Sequence, residues 1–375
     1  MTAELTPKKP RLLSLDFFRG FTIAAMILVN DPGNEHAYAP LEHADWNGCT
    51  PTDLIFPSFL FMVGVAIVYA LQAKKHESNH GKIILNAFRR MVTLILISWA
   101  IGFFYNHSFA TLRIPGVLQR IAVVYFICTI LYLKTTEKTR NWIFAIALIG
   151  YWLLMTFVPV PDGHPANLEK ETNLGAWLDR LVFGTNHLWR HSKTWDPEGL
   201  LGVIPSIGSC LFGISVGRWI KRTDVDSGVK TSWLFFYGVI AIILGLIWNL
   251  FFPINKQLWT SSFVLYAGGI STLGLTLSYW FIDVQGNKKW VWPFVVFGMN
   301  SIGAYILADF VGELINYIKI PYKGNHIGLL SYINSTVFEP HFSAPNASLA
   351  FSLMYVLLCW IIMYPFYRKK IIIKV

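Results

Sequence analysis

His43 is the residue of this chain best suited to chemistry. It lies in the stretch EHADWNGCTPTDLIFPSFLF (residues 42–61), which follows an apolar run ending in MILVN (residues 26–30). A neutral imidazole near pH 7 can accept a proton, attack as a nucleophile or shuttle a proton. Carboxylates surround it in sequence: Glu42, Asp45 and Asp53. Asp53 opens the next apolar run, so its carboxylate is partly desolvated and needs a partner, for which His43 is the candidate. Asn30 ends the preceding run and brings an amide to the same face. It can donate to a developing oxyanion, or it can be a helix C-terminal residue, since Asn tolerates the left-handed conformation. The plain alternative for His43 is a solvated loop side chain. Ionisable groups beside hydrocarbon are costly, so the chemistry is expected to centre on this cluster.

The elements that must position these residues are membrane helices. The chain has 375 residues, of which 54% are hydrophobic, 16% aromatic and only 14% charged. A soluble domain carries about 25% charged residues. The composition predicts an all-α, polytopic transmembrane helix bundle forming one domain over residues 1–375. A span needs about 20 mostly apolar residues. Candidates run over 14–30, 54–73, 86–105, 114–133, 141–159, 200–220, 231–252, 259–281, 291–311 and 349–367, so about ten spans are expected. The first, with Asp16 and Arg19, is read as a signal anchor rather than a cleaved signal peptide.

Lys and Arg fix the expected orientation. With the N-terminus in the cytoplasm, every cytoplasmic segment is basic, from Lys8, Lys9 and Arg11 through Lys74, Lys75, Lys82, Arg89 and Arg90 to Arg368, Lys369, Lys370 and Lys374. The outer segments are poorer in them, and both termini are placed inside. The formal charge of +10 is therefore spread over short loops and does not point to nucleic acid. The loop at 31–53 faces outward, as do 160–199 and 312–348. Residues 173–189 have apolar positions at helical spacing, so the 160–199 loop is expected to cap the bundle. Its tryptophans Trp177, Trp189 and Trp195 can stack on a sugar or simply anchor the interface.

Further candidates lie in or near the spans. Arg19 and Arg120 fall within the bilayer, where an arginine pairs with an acid (Asp16, Asp53 or Glu198) or faces an anionic ligand. Asp196 and Glu198 precede the sixth span and can cap it. Asn300 and Ser301 sit in the middle of the ninth span, bonded between helices or lining a channel. Three of the four cysteines, Cys128, Cys210 and Cys359, fall in apolar segments as packed side chains. The histidines outside the loop show no metal spacing, so no metal is expected.

The motifs SLDFFRG, MILVN, EHADWNG with TDLIFP, RIPGVLQR, DPEGLLG, PINKQLW, GMNSI and YRKKI occur in this order. Together they resemble the transmembrane N-acetyltransferase family of heparan-alpha-glucosaminide N-acetyltransferase. The resemblance implies transfer of acetyl from cytoplasmic acetyl-CoA to the amine of a glucosamine-type sugar on the other side of the lipid bilayer. It gives the essential histidine to His43 and the motif asparagine and aspartate to Asn30 and Asp53. The animal enzyme has a large lumenal domain before its first span. This chain starts almost at the membrane, which suggests a bacterial-type relative of the inner membrane, with the active-site loop in the periplasm.

Cofactor contacts are expected from Arg19, Arg89, Arg90, Arg120 and Asn300, with Arg218 and Lys221 as further basic candidates. Acceptor contacts are expected from Asp45, Trp46, Glu198 and Trp195. Direct transfer and an acetyl-histidine relay remain open, as do a homodimer, an amino-sugar or proton-coupled transporter, and a polysaccharide O-acyltransferase.

Overall fold

The computed structural model describes residues 12–373. Expectations resting on Lys8, Lys9, Arg11 and Lys374 lie outside them. In chain order the helices are α1 (Leu13–Asn30), α2 (Ile55–Leu71), α3 (Gly81–Asn106), α4 (Val117–Lys134), α5 (Glu137–Phe157), α6 (Leu174–Phe183), α7 (Val203–Ile220), α8 (Ser227–Trp248), α9 (Ser261–Ser278), α10 (Trp292–Gly298), α11 (Ser301–Asn316), α12 (Leu329–Ile333) and α13 (Ala344–Arg368). In hydrocarbon every backbone polar group must be satisfied within its own segment, which is why long apolar runs become helices.

Eight described helices are long and apolar enough to cross a membrane: α1 to α5, α7, α8 and α13. Each matches an expected span. The other two expected spans differ. The segment expected at 291–311 is broken: α10 and α11 meet at 82°, and together they would make a ninth span. Asn300 therefore stands at a corner, not in the middle of a continuous helix. The segment expected at 259–281 is α9, rich in Ser, Thr and Gly, and it is not among the eight. Its hydroxyls bond back to carbonyls four residues earlier, Ser271 to Ala267, Thr272 to Gly268 and Thr276 to Thr272, so a polar helix still buries without stranded donors.

Small residues bring the central helices together. Gly64 of α2 faces the Cys210 carbonyl of α7, and Gly213 of α7 faces the Phe61 carbonyl of α2. A Cβ on either would collide with that carbonyl. This reciprocal contact, with Gly217 one turn on against Val65, is the close approach that small residues four apart permit. Large buried side chains, among them Phe61, Phe263, Phe297 and Tyr355, fill the core around it.

The expected cap over 160–199 contains α6, started by Asn173, whose side chain accepts from Ala176 N at 2.9 Å. The 312–348 stretch contains an antiparallel hairpin, β1 (Lys319–Tyr322) with β2 (Asn325–Gly328), in the register Lys319 opposite Gly328. The hairpin is followed by α12.

Candidate active site

A cavity of about 350 Å³ opens at the end of the bundle where α1 finishes and α2, α4 and α7 begin. Asn30, His43, Asp45, Arg113, Trp189, Glu198, Lys256 and Tyr305 line it. Three loops from distant parts of the sequence build the wall. The loop carrying His43 is joined to the one between α8 and α9 by Gly48 N donating to the Ile254 carbonyl at 2.8 Å, and by Asn255 donating to Asn47 at 3.1 Å.

Asp53 is wholly buried behind His43, which is 44% exposed. Residues Pro51–Leu54 form a short 3-10 turn that Thr50 and Asp53 cap reciprocally. One carboxylate oxygen, Oδ2, accepts from the backbone N–H of Ala44 and of Thr50, each at 3.0 Å. The other, Oδ1, lies 2.7 Å from His43 Nδ1. A carboxylate with this set of donors only accepts. The proton on that contact therefore sits on Nδ1, so that in the neutral ring Nε2 is the nitrogen with the lone pair. Such an imidazole is oriented as a base or nucleophile.

Lys256 completes the group. Its Nζ is 3.0 Å from His43 Nδ1 and 3.4 Å from Nε2, and 3.5 Å from Asp53 Oδ1. Its side chain is 14% exposed. Burial pulls its basicity down, while Asp53 and Glu198 act against that. In the sequence Lys256 stands within the motif PINKQLW. The motif was visible there, but the pairing with His43, 213 positions away, was not.

The expected acceptor residues divide. Glu198 and Asp45 line the cavity. Arg113 grips Asp196 through Nε at 2.8 Å and Nη2 at 2.6 Å and reaches Glu198 at 2.5 Å. These acids thus hold an arginine rather than cap the helix: α7 starts only at Val203, after Gly202. Asp45 pairs with Lys170 at 2.8 Å on the rim. Trp46 and Trp195 sit behind the wall, packed edge-to-face with centroids 5.1 Å apart, and Trp195 in turn supports Trp189 at 5.3 Å. Trp189 is the ring that faces the cavity. Asn30 faces it too, as the last residue of α1, and the cap beyond it, Asp31, has negative φ, so no left-handed cap is formed.

A second pair of cavities lies toward the opposite end of the bundle. One, of about 710 Å³, is lined by Arg19, Lys74, Asn86, Arg89, Arg90, Asn300 and Ile373 among others. It shares Arg19, Arg90, Tyr125 and Ser301 with a narrower apolar one of about 190 Å³ between Phe59, Met62, Val63 and Ile121. Four of the five expected cofactor residues thus gather here: Arg19, Arg89, Arg90 and Asn300. Arg19 also lies 3.6 Å from Asp16. The amide of Asn300 is taken by the C-terminal tail, donating to Ile371 O and accepting from Ile373 N, both at 2.8 Å. Arg120 is elsewhere. It is buried under the outer site, donates to the Gly199 carbonyl at 3.0 Å and stacks on Trp259 at 5.1 Å. Arg218 pairs with Glu137 and Lys221 with the Val68 and Tyr69 carbonyls; neither lines these cavities.

The smaller apolar cavity and the His43 cavity share α1, α2, α4 and α11, with Arg19 facing the first and Met26 the second on α1. Phe56 faces one and Phe59 the other on α2, Val117 and Ile121 do so on α4, and Tyr305 and Ile302 on α11. On α2, α4 and α11 one helical turn, roughly 5 Å of rise, separates the two sets of residues.

The sequence profile of the family described as Heparan-alpha-glucosaminide N-acetyltransferase, catalytic, matches residues 11–249. The heparan-alpha-glucosaminide N-acetyltransferase of Homo sapiens is 30% identical over 365 residues, covering 81% of this chain and 54% of that protein. The Mus musculus protein is 29% identical over 373 residues, covering 84% and 55%. The chain belongs to this family. It spans about half the length of these relatives. The matched catalytic profile takes in His43, Asp53, Arg89, Arg90, Arg113 and Glu198, and ends before Lys256, Asn300 and Tyr305. The cavity around His43 therefore draws its remaining wall from the C-terminal third of the chain.

Proposed function

We propose that this chain moves an acetyl group from acetyl-CoA, held in the basic cavities, to the amine of a glucosamine-type sugar in the His43 cavity. The observation that carries the reading is the order of the cavities along the bundle: the basic cavity adjoins the apolar one, and on α2, α4 and α11 the apolar one lies a turn from the His–Asp cavity. Arg19, Lys74, Arg89 and Arg90 suit the phosphates of coenzyme A, since guanidinium and ammonium groups pair with phosphate oxygens. The narrow apolar cavity suits the pantetheine arm. Acetyl-CoA supplies an acyl group activated as a thioester.

The side chains of the outer cavity do the rest. The amine nitrogen bonds to the thioester carbonyl carbon and the C–S bond breaks; Nε2 of His43 takes the proton that the amine loses and passes it to the departing coenzyme A thiolate, while Asp53 holds Nδ1–H and fixes the ring. Asn30 donates to the oxyanion. Glu198 and Asp45 bond the sugar's polar groups, and Trp189 offers it a flat face. The whole chain works as one transmembrane unit under the cap at 160–199. The basic end of the bundle lies in the cytoplasm with both termini, and the His43 end faces the periplasm of a bacterial inner membrane, as the distribution of Lys and Arg supports.

The test is acetyl transfer from radiolabelled acetyl-CoA to glucosamine by purified protein in detergent. N-acetylglucosamine as product is expected. Donor binding without any acetylated amino sugar would reject the acceptor, and no donor binding would reject the reading entirely.

A further inference from the structure

The most informative group not yet given a task is Lys256. A buried carboxylate and a half-exposed imidazole form a pair whose charge depends on the imidazole. Left alone, the Asp53 carboxylate would draw a second proton onto His43, because an opposite charge at such range favours the charged form. An imidazolium has no lone pair to offer an amine. Lys256 stands 3.5 Å from Asp53 Oδ1 and within 3.4 Å of both ring nitrogens. With ammonium and carboxylate both present, the group is electrically neutral only while the imidazole is neutral.

We propose that Lys256 is a positioning residue for His43: it is the counter-charge of Asp53, and it favours the unprotonated, reactive form of the imidazole. Other charges around the ring leave this role to Lys256. Arg113, from the loop before α4, is spent on Asp196 and Glu198. Asp45 on the His43 loop pairs outward with Lys170. Glu198 faces Lys256 from the loop before α7, Cys49 faces it from the His43 loop, and Tyr305 approaches from α11. Glu42 precedes His43 in the chain, and its backbone carbonyl is held by Thr50 at 2.6 Å. The catalytic task assigned to His43 rests on the proposed acetyltransferase reading, whereas the protonation control by Lys256 does not.

The experiment therefore reads His43 directly. Diethyl pyrocarbonate acylates only unprotonated imidazole, and peptide mass spectrometry resolves each histidine. Wild type, Lys256→Met, Lys256→Gln and Lys256→Arg are labelled across pH 5.5 to 8 in roughly half-unit steps, with the exposed His36 as internal reference. In the two uncharged variants the labelling midpoint of His43 should move up by about one unit or more, the range for gaining or losing one close charge. Lys256→Arg should restore the wild-type midpoint, and His36 should not move in any. The acidic limb of the acetyl-transfer rate should shift in the same direction. An unchanged His43 midpoint in a folded Met or Gln variant overturns the proposal. So does a shift that Arg fails to reverse. Labelling as expected in a protein that acetylates nothing would instead sink the acetyltransferase reading and leave Lys256 its role.

Discussion

The two ends of the bundle are built by different rules. The His43 cavity is a loop site: its groups come from residues 30–53, 113, 189–198 and 256 and are tied together by named hydrogen bonds, with each acid already matched to a donor. The opposite cavity is a helix site: its arginines come from α1 and α3, Arg19 beside Asp16 and the Gly298 carbonyl and Arg90 over the Tyr125 ring, and Asn300 is bound to the chain's own tail. Pre-organised hydrogen bonds suit a place where charge develops during a reaction. Basic side chains gathered from several helices suit the holding of a polyanion. Substitutions at the two ends should therefore fail in different ways.

The largest effect is expected at His43. Replacing it by Gln should lower the transfer rate about 10³-fold, the scale of a lost general base, with donor affinity unchanged in a direct binding titration. If donor binding collapsed as well, the division between the two ends would be wrong. Asp53→Asn comes next. It keeps the shape but frees the ring to adopt the other tautomer, and a loss of about 10²-fold in kcat is expected. Single-turnover traces with excess enzyme would show whether that loss lies in the transfer itself.

At the other end, Arg89→Gln and Arg90→Gln should each raise the KM for acetyl-CoA about tenfold, the cost of one charge-assisted hydrogen bond. They should leave kcat within about a factor of two, because uniform binding is what they remove. A kcat effect larger than the KM effect would move these residues into the chemistry. Smaller still is Trp189→Ala, with the acceptor KM rising about fivefold as a stacking face is lost. Trp46→Ala and Trp195→Ala should follow it only through loss of support, visible as a lower melting temperature.

A last comparison concerns pH and stability. Asp179 of α6 accepts from Leu200 N at 2.8 Å, and burial pushes it from 3.8 up to about 7. The folded chain then holds a proton that the unfolded chain releases between those values, so stability should fall as pH rises through that window and level off above it. Asp179→Asn should flatten this slope in thermal unfolding followed between about pH 5 and pH 7.5.

Sequence alone carried the helices and half of the site. Eight spans were legible because length and apolar content are local properties. His43 and Asp53 were legible as partners because a short turn joins them. Lys256 was not, because its loop enters the site only through contacts with Gly48 and Asn47. Trp189 was hard to separate from Trp195, since which ring of a packed group faces the cavity is decided by tertiary contacts. The break at Asn300 was missed for a different reason: summed hydropathy is blind to direction. The local signals were present in Gly298 and Asn300, a pairing that favours a helix end and a fresh start. Arg120 was drawn to the cofactor by its charge, yet it serves to hold the Gly199 carbonyl and the face of Trp259.

The turn that separates the two cavities has an electrical consequence. Water entering both would bring the two bulk potentials to within roughly 5 Å of each other, instead of the roughly 30 Å of an ordinary hydrocarbon core. Nearly the whole membrane voltage would then fall across Phe59, Ile121 and Ile302. A charge crossing that turn exchanges about 2.3 kcal/mol for every 100 mV. In the proposed transfer a neutral acetyl group would cross it with no electrical work, so a barrier that blocks an ion would be transparent to the cargo.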